Sequence, residues 1–246
     1  MKHASPIAFK PLGPEEGPAL LWAHGWGQSH EAFLPLAQSF ENTGSHILVD
    51  FPGFGGSPPP PEAWSTEDYA DAMAEFIKSK TGGPVVWIGH SFGCRVGIQM
   101  AARHPELVKG LFLIAAAGLP RKRPLHKKLY LKARIALFKF LKKIVPEASK
   151  EKLYKAFGSS DYKNAGPMRG VFIKIVNEDL SEQAQKIRCP VMLIYGDKDT
   201  ETPPEIGERL HKLIAGSEFV CLDGLDHYTV LGTGRHRVAP LLKGFL

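Results

Sequence analysis

The sequence predicts an α/β fold: a mostly parallel sheet with helices on both faces, interrupted late in the chain by a helical insertion. Three observations carry this. Apolar runs of strand length alternate with amphipathic runs of helix length along most of the 246 residues. One strand–helix junction reads Gly89-His90-Ser91-Phe92-Gly93, a G-x-S-x-G turn. The alternation stops at Gly118 and resumes near Pro190, and the residues between are mostly helical in pattern.

In chain order, residues 19–23 form an apolar strand and 31–40 a short helix. Residues 46–50 are a strand and 66–78 an amphipathic helix, with Ser65 or Thr66 as its N-cap. The apolar run 85–88 is a buried strand leading into the G-x-S-x-G turn, and 94–102 is the helix that follows. Strands at 108–116 and 191–195, a helix at 203–214, a strand at 218–222 and a helix at 235–245 complete the alternation. The core therefore falls in residues 1–117 and 188–246, with the insertion at 118–187. It follows a strand, at the end of the sheet where active sites gather.

A serine between strand and helix, with glycine two positions away on each side, is the nucleophile-elbow arrangement. The turn is tight, and side chains at 89 and 93 would meet the facing strand and helix. The hydroxyl stands clear of the sheet, and the N–H groups opening the helix face any oxyanion formed there. A serine hydroxyl needs a base, and the base needs a carboxylate. Of the ten histidines, His227 lies between the last strand and the last helix, on the Ser91 side of the sheet. Asp197 and Asp199 follow the preceding strand and compete for the acid role. The spacing Gly196…Asp199…Pro203 favours Asp199 and leaves Asp197 as a turn residue. Asp223 and Asp226 are read as turn or loop residues, with Asp226 an alternative acid. Phe92 and Trp26, the latter in His24-Gly25-Trp26-Gly27, are candidate backbone N–H donors to an oxyanion. His24 is read as bracing its loop and His90 as bracing the elbow. The other seven histidines, His46 among them, are expected on surfaces or at helix ends.

Composition sets further bounds. With 43% hydrophobic residues a sizeable core can form, and no apolar stretch approaches the ~18 residues of a membrane span. The first residues lack a continuous apolar leader segment, so a cytoplasmic location is expected. Cys94, Cys189 and Cys221 are widely spaced, contain no C-x-x-C pair, and read as small buried hydrophobes. No metal is expected. Net charge is +6 overall but uneven: thirteen Lys or Arg oppose two Glu between Pro120 and Lys155, a local +11 against −5 for the rest.

The set HGWG, DFPGFGGS (50–57), GHSFG, GDKDTETPP and DH, in this order, resembles the α/β-hydrolase superfamily. The resemblance spans nearly the whole chain. It implies an eight-stranded, mostly parallel sheet with a cap after the sixth strand. It also implies Ser91, Asp199 and His227 as the triad, Phe92 and Trp26 as oxyanion donors, and no cofactor. Two antiparallel strands are then expected within residues 5–20, although Pro and Gly there obscure them. Cys94 stands where the family frequently has glycine. Related dehalogenases and epoxide hydrolases carry Asp at the nucleophile position, so Ser91 directs the expectation to acyl transfer.

On a helical wheel, residues 129–145 carry a basic strip of Lys128, Lys132, Lys139, Lys142 and Lys143. The remaining circumference is largely apolar, with Leu129, Leu137 and Phe140 as candidate substrate contacts. Three readings follow. The apolar face roofs the active site while lysines meet solvent; the basic strip docks an acidic acyl carrier protein or acyl-CoA; or the helix meets anionic lipid. The HGWG motif also resembles pimeloyl-carrier methyl esterases. Nucleic acid is not indicated, because no recognition motif is present. The expected activity is a serine hydrolase cleaving a carboxylic ester through an acyl-enzyme. Alternatives are a C–C hydrolase or lyase on the same triad, a thioesterase, or a binding protein that has kept the fold.

Overall fold

Seven strands form one sheet in the order β1-β3-β2-β4-β5-β6-β7. They are β1 (Phe9–Leu12), β2 (Ala19–Ala23), β3 (Ser45–Val49), β4 (Val85–His90), β5 (Val108–Ile114), β6 (Val191–Gly196) and β7 (Glu218–Leu222). Only β1 is antiparallel to its neighbour; the remaining pairs are parallel. The computed structural model describes residues 6–122, 124–146, 149, 153 and 160–246. One antiparallel strand forms in the N-terminal segment instead of the expected two, so the sheet has seven strands among the described residues rather than eight. Between β1 and β2, Gly13 and Gly17 adopt positive φ and Pro14 and Pro18 accompany them, so that stretch turns rather than pairing as a further strand.

The helices are α1 (Leu34–Ala37), α2 (Thr66–Lys80), α3 (Phe92–Arg103), α4 (Leu125–Ile144), α5 (Ser160–Asn164), α6 (Arg169–Asn177), α7 (Ser181–Lys186), α8 (Pro204–Leu213) and α9 (Arg235–Phe245). The helix expected at 31–40 is broken into α1 flanked by two 3-10 turns. Pro35 explains the break: it lacks an N–H and tolerates only the opening turn of a helix. Ser65 is the N-cap of α2, and its hydroxyl and Asp68 satisfy each other's backbone N–H groups in a capping box.

Every residue of β4 and β6 is buried, the mark of strands covered on both faces. One apolar cluster joins β2, β4 and β5 to α2, α3 and the insertion, through residues such as Trp87, Met73 and Ile98. The other lies on the opposite face, where Trp22 and Ile88 meet Phe33, Leu36, Val238 and Leu242. His46 departs from its expected surface position and is buried. Its Nδ1 accepts from the Trp22 indole at 3.0 Å, and its Nε2 donates to the Phe40 carbonyl at 2.8 Å. A neutral imidazole satisfies both, and burial accordingly lowers its pKa. Cys94 is buried as expected, but Cys221 is exposed on β7, at the edge of the sheet.

Topology brings the key loops together. The chain leaves β2 for β3 on one side, then returns to β4 on the other. The carboxyl ends of β2 and β4 therefore lie side by side, with Ala23 opposite Gly89. A crevice opens at such a reversal, where ligands bind in open α/β sheets. Among the described residues no helix is long and apolar enough to cross a membrane.

Candidate active site

Ser91 sits immediately after β4 with φ 49° and ψ −102°, a conformation rare for a residue with a side chain. The strain is held by its surroundings. The Ser91 N–H donates to Ile114 O on β5 at 3.0 Å, and its carbonyl accepts from Cys94 N at 3.2 Å. Gly93 permits the turn: a Cβ there would lie 2.0 Å from Ala23 O, so α3 could not rest against the end of β2. Among the described residues, the backbone N–H groups of Trp26 and Phe92 donate to no partner within the chain. The Phe92 group opens α3 and is orphaned by position.

The loop after β2 is built by its histidine. His24 Nδ1 donates to Gly25 O at 2.7 Å, and Nε2 accepts from Phe51 N at 3.1 Å. Asp50 accepts from His30 N at 2.7 Å and Gly56 N at 2.9 Å. Burial pushes the Asp50 carboxyl up, but these bonds outweigh it and the net shift is downward.

His227 and Asp199 come together from the ends of β7 and β6. His227 Nδ1 donates to Asp199 Oδ2 at 2.8 Å, and both side chains are almost wholly buried. Asp199 Oδ1 accepts from Glu201 N at 2.8 Å and Thr202 N at 2.7 Å; Oδ2 also accepts from Thr202 Oγ1 at 2.8 Å. Burial raises the Asp199 pKa, but the bond and charge of His227 and the Thr202 bonds reverse it, so the group stays below the usual carboxylate range. Asp197 faces elsewhere, accepting from Gly224 N at 2.6 Å and pairing with Lys198 at 3.0 Å. Asp226 is a turn residue that accepts from the N–H groups of Tyr228 and Thr229. The two loops are locked at Gly196, where a Cβ would lie 2.2 Å from Leu225 O.

His90 adds a brace from the elbow side. Its Nε2 donates to the carbonyl of His227 at 2.9 Å, and the two rings lie 4.8 Å apart. Asp199 thus fixes the His227 side chain while His90 fixes its backbone. Ser91 and His227 line one cavity of about 560 Å³, together with Trp26 and Phe92. Among the described residues no hydrogen bond yet joins Ser91 Oγ to the imidazole. Catalytic contacts of this kind commonly tighten only on substrate binding.

Leu129, Leu137 and Phe140, expected as candidate substrate contacts, are 57%, 50% and 60% exposed, and none lines this cavity. The apolar wall comes instead from α6, through Phe172, Ile175 and Val176. A helical wheel identifies an apolar face but not the neighbour that covers it, and α6 carries an equally apolar run. Sequence reasoning also missed Thr202 and Arg95. Thr202 is legible in retrospect as a turn hydroxyl three residues after an aspartate. Arg95 looked like an ordinary helix cation. Among the described residues no cluster of three or more His, Cys, Asp or Glu is placed to hold a metal.

Burial lowers the His24 pKa to about 4 and the His90 pKa to about 3, so both are neutral when folded. The unfolded chain binds their protons near 6.5. Stability is therefore intact above pH 6.5 and is lost as pH falls towards 4 and 3. Urea unfolding at pH 7.0 and 4.5 is expected to show a clear loss at the lower pH, shallower in His24→Gln. An identical slope in the two proteins would count against a buried neutral His24.

The description "Alpha/beta hydrolase family" belongs to the family model that matches residues 20–241. The chain is 30% identical over 225 residues to a pimeloyl-[acyl-carrier protein] methyl ester esterase of Neisseria meningitidis serogroup A, covering 83% of this chain and 69% of that one. It is 25% identical to Lipase 1 of Psychrobacter immobilis, covering 90% and 74% respectively. Among solved structures, an esterase from Exiguobacterium antarcticum superposes with a TM-score of 0.77 at 20% identity, covering 98% of this chain and 95% of that one.

Proposed function

The chain belongs to the α/β-hydrolase family and is a carboxylic ester hydrolase; from that premise we propose that it works through Ser91, His227 and Asp199 by way of an acyl-enzyme. The observation that carries the proposal is the paired, buried His227–Asp199 hydrogen bond opening onto the cavity that Ser91 also lines. With Nδ1 committed to Asp199, Nε2 is the nitrogen left to accept a proton.

Ser91 Oγ attacks the ester carbonyl as His227 Nε2 takes its proton. The Trp26 and Phe92 N–H groups receive the oxyanion, each contributing on the order of 10²–10³ in rate. The tetrahedral intermediate collapses, and the alcohol leaves with the proton from His227. Water, activated by the same imidazole, then attacks the acyl-enzyme, and collapse of the second intermediate frees the acid and returns the proton to Ser91. Asp199 holds the tautomer throughout and stabilises the imidazolium.

The finer part of the proposal concerns delivery. Residues 118–187 act as a cap over the core, and its α4 presents Lys132, Lys142 and Lys143 in solvent beside exposed Leu129, Tyr130 and Phe140. Lys128 and Lys139, counted in the expected strip, have side chains outside the described residues. This surface suits an acidic acyl carrier, which the name of the Neisseria relative independently suggests. One experiment tests both parts. A fluorophosphonate is expected to label wild-type protein and abolish hydrolysis of p-nitrophenyl butyrate. Lys132, Lys142 and Lys143→Glu together are expected to raise KM for a carrier-borne ester about 10-fold or more, and not for the small ester. Absence of labelling with full ester turnover would remove the serine mechanism; equal KM in the charge-reversed protein would remove carrier docking.

A further inference from the structure

Arg95 is the unusual residue of the cavity. It is the fourth residue of α3, the helix that Ser91 caps, and both side chains line the same cavity. It lines the Ser91 cavity yet is only 9% exposed. A guanidinium carries five N–H donors. Among the described residues Arg95 makes one hydrogen bond, from Nη1 to the Glu178 carbonyl, at a weak 3.4 Å.

The acids nearest in sequence to that contact are engaged elsewhere. The Glu178 carboxylate accepts from Thr66 N at 2.9 Å and Thr66 Oγ1 at 2.5 Å, at the start of α2. Asp179 accepts from Ser181 N and Oγ at the start of α7. No ion pair joins either acid to Arg95 among the described residues, although their charges partly offset the burial that lowers its pKa. Arg121, the other cation on the lining, is paired with Glu201 at 3.8 Å and is more exposed. A buried cation with idle donors is costly unless something completes it. A carboxylate does so best, because its two oxygens match the planar fork of the guanidinium.

We propose that Arg95 is a carboxylate-binding residue, and that the acyl group cleaved at Ser91 belongs to a short dicarboxylic acid whose far carboxylate Arg95 holds. The inference rests on the Ser91 reading and narrows its substrate class. Ser91 and Arg95 line one cavity of about 560 Å³, so a single short acyl chain can run from the serine oxygen to the guanidinium. It is indifferent to the leaving group, which can be a small alcohol or the thiol or alcohol of a carrier. Neutral long-chain lipids are disfavoured, because they would leave the buried charge unpaired.

The test compares p-nitrophenyl hemiglutarate with p-nitrophenyl pentanoate, which differ at the terminal carboxylate. Wild-type protein is expected to favour the hemiglutarate in kcat/KM by about 100-fold. That ratio is expected to collapse in Arg95→Met and to be partly kept in Arg95→Lys, which has the charge without the fork. Misfolding would lower both substrates together and leave the ratio intact, so the ratio isolates recognition. Glutarate binding to Ser91→Ala protein by calorimetry, and its loss in Ser91→Ala/Arg95→Met, tests the subsite without turnover. Equal use of the two esters by wild type, or an unchanged ratio in Arg95→Met, overturns the proposal. Arg95-dependent glutarate binding without turnover of either ester by wild type supports the subsite and counts against the Ser91 mechanism alone.

Discussion

Ser91→Ala is expected to lower kcat for p-nitrophenyl esters by about 10⁶-fold while the protein remains folded. The size follows from what is removed. Without Oγ there is no nucleophile, and His227 has no proton to take. What remains is the polarising effect of the Trp26 and Phe92 N–H groups, which typically leaves a residual 10³–10⁴ over water. The fold is expected to survive because no hydrogen bond of the Ser91 hydroxyl helps to hold the elbow among the described residues. Its backbone does that, through Ile114 O and Cys94 N. Alanine keeps both bonds and meets the same positive φ that serine does. The measurement is kcat beside a thermal melt. A drop of less than tenfold, with an unchanged melt, would show that another group attacks the ester.

Asp199→Asn is expected to cost about 10⁴-fold in kcat with little loss of structure. All four contacts made by this carboxylate are with donors: Glu201 N, Thr202 N, Thr202 Oγ1 and His227 Nδ1. An asparagine has one oxygen to offer where two are needed. If its NH₂ faces His227, the ring must turn its lone pair to Nδ1 and carry the proton on Nε2, where it cannot accept one from Ser91. If instead the NH₂ faces the 201–202 turn, two backbone donors lose their acceptor. Asp197→Asn is the matching control. That residue touches Gly224 and Lys198 and not the imidazole, so kcat is expected within about twofold of wild type. Equal losses in the two variants would mean that the acid has been misassigned.

The alternation of apolar and amphipathic runs made the sheet legible, because β4 and β6 are buried along their whole length and leave continuous apolar signatures. The residues that cluster around the crevice were legible for a related reason. Each sits in the turn or loop that follows a strand, and parallel strands deliver those loops to one edge. Three features were not legible. The 3-10 turns around α1 depend on where Pro35 falls within one turn of helix. The burial of His46 depends on a partner 24 residues earlier, Trp22, which no local pattern names. The apolar wall of the cavity depends on which inserted helix packs inward. Both α4 and α6 carry apolar faces, and only the tertiary contacts distinguish them. Arg95 escaped notice because a cation at the fourth position of a helix is ordinary until its idle donors are visible.

The cavity wall and the chemistry beneath it come from different parts of the chain. Phe172, Ile175 and Val176 belong to α6, a helix inserted between β5 and β6, whereas Ser91, Asp199 and His227 all follow strands. Glu178, just past α6, is fastened to Thr66 on α2 rather than to any of the three. Altering Val176, which lines the cavity and is exposed, therefore redraws the mould without moving the tool. Descendants of such a protein are free to drift in what they accept at that exposed edge of one short helix, whereas Val171 and Ile175 share a core cluster with Phe92 and the Phe172 ring lies 5.1 Å from that of Trp26, so changes there reach the frame.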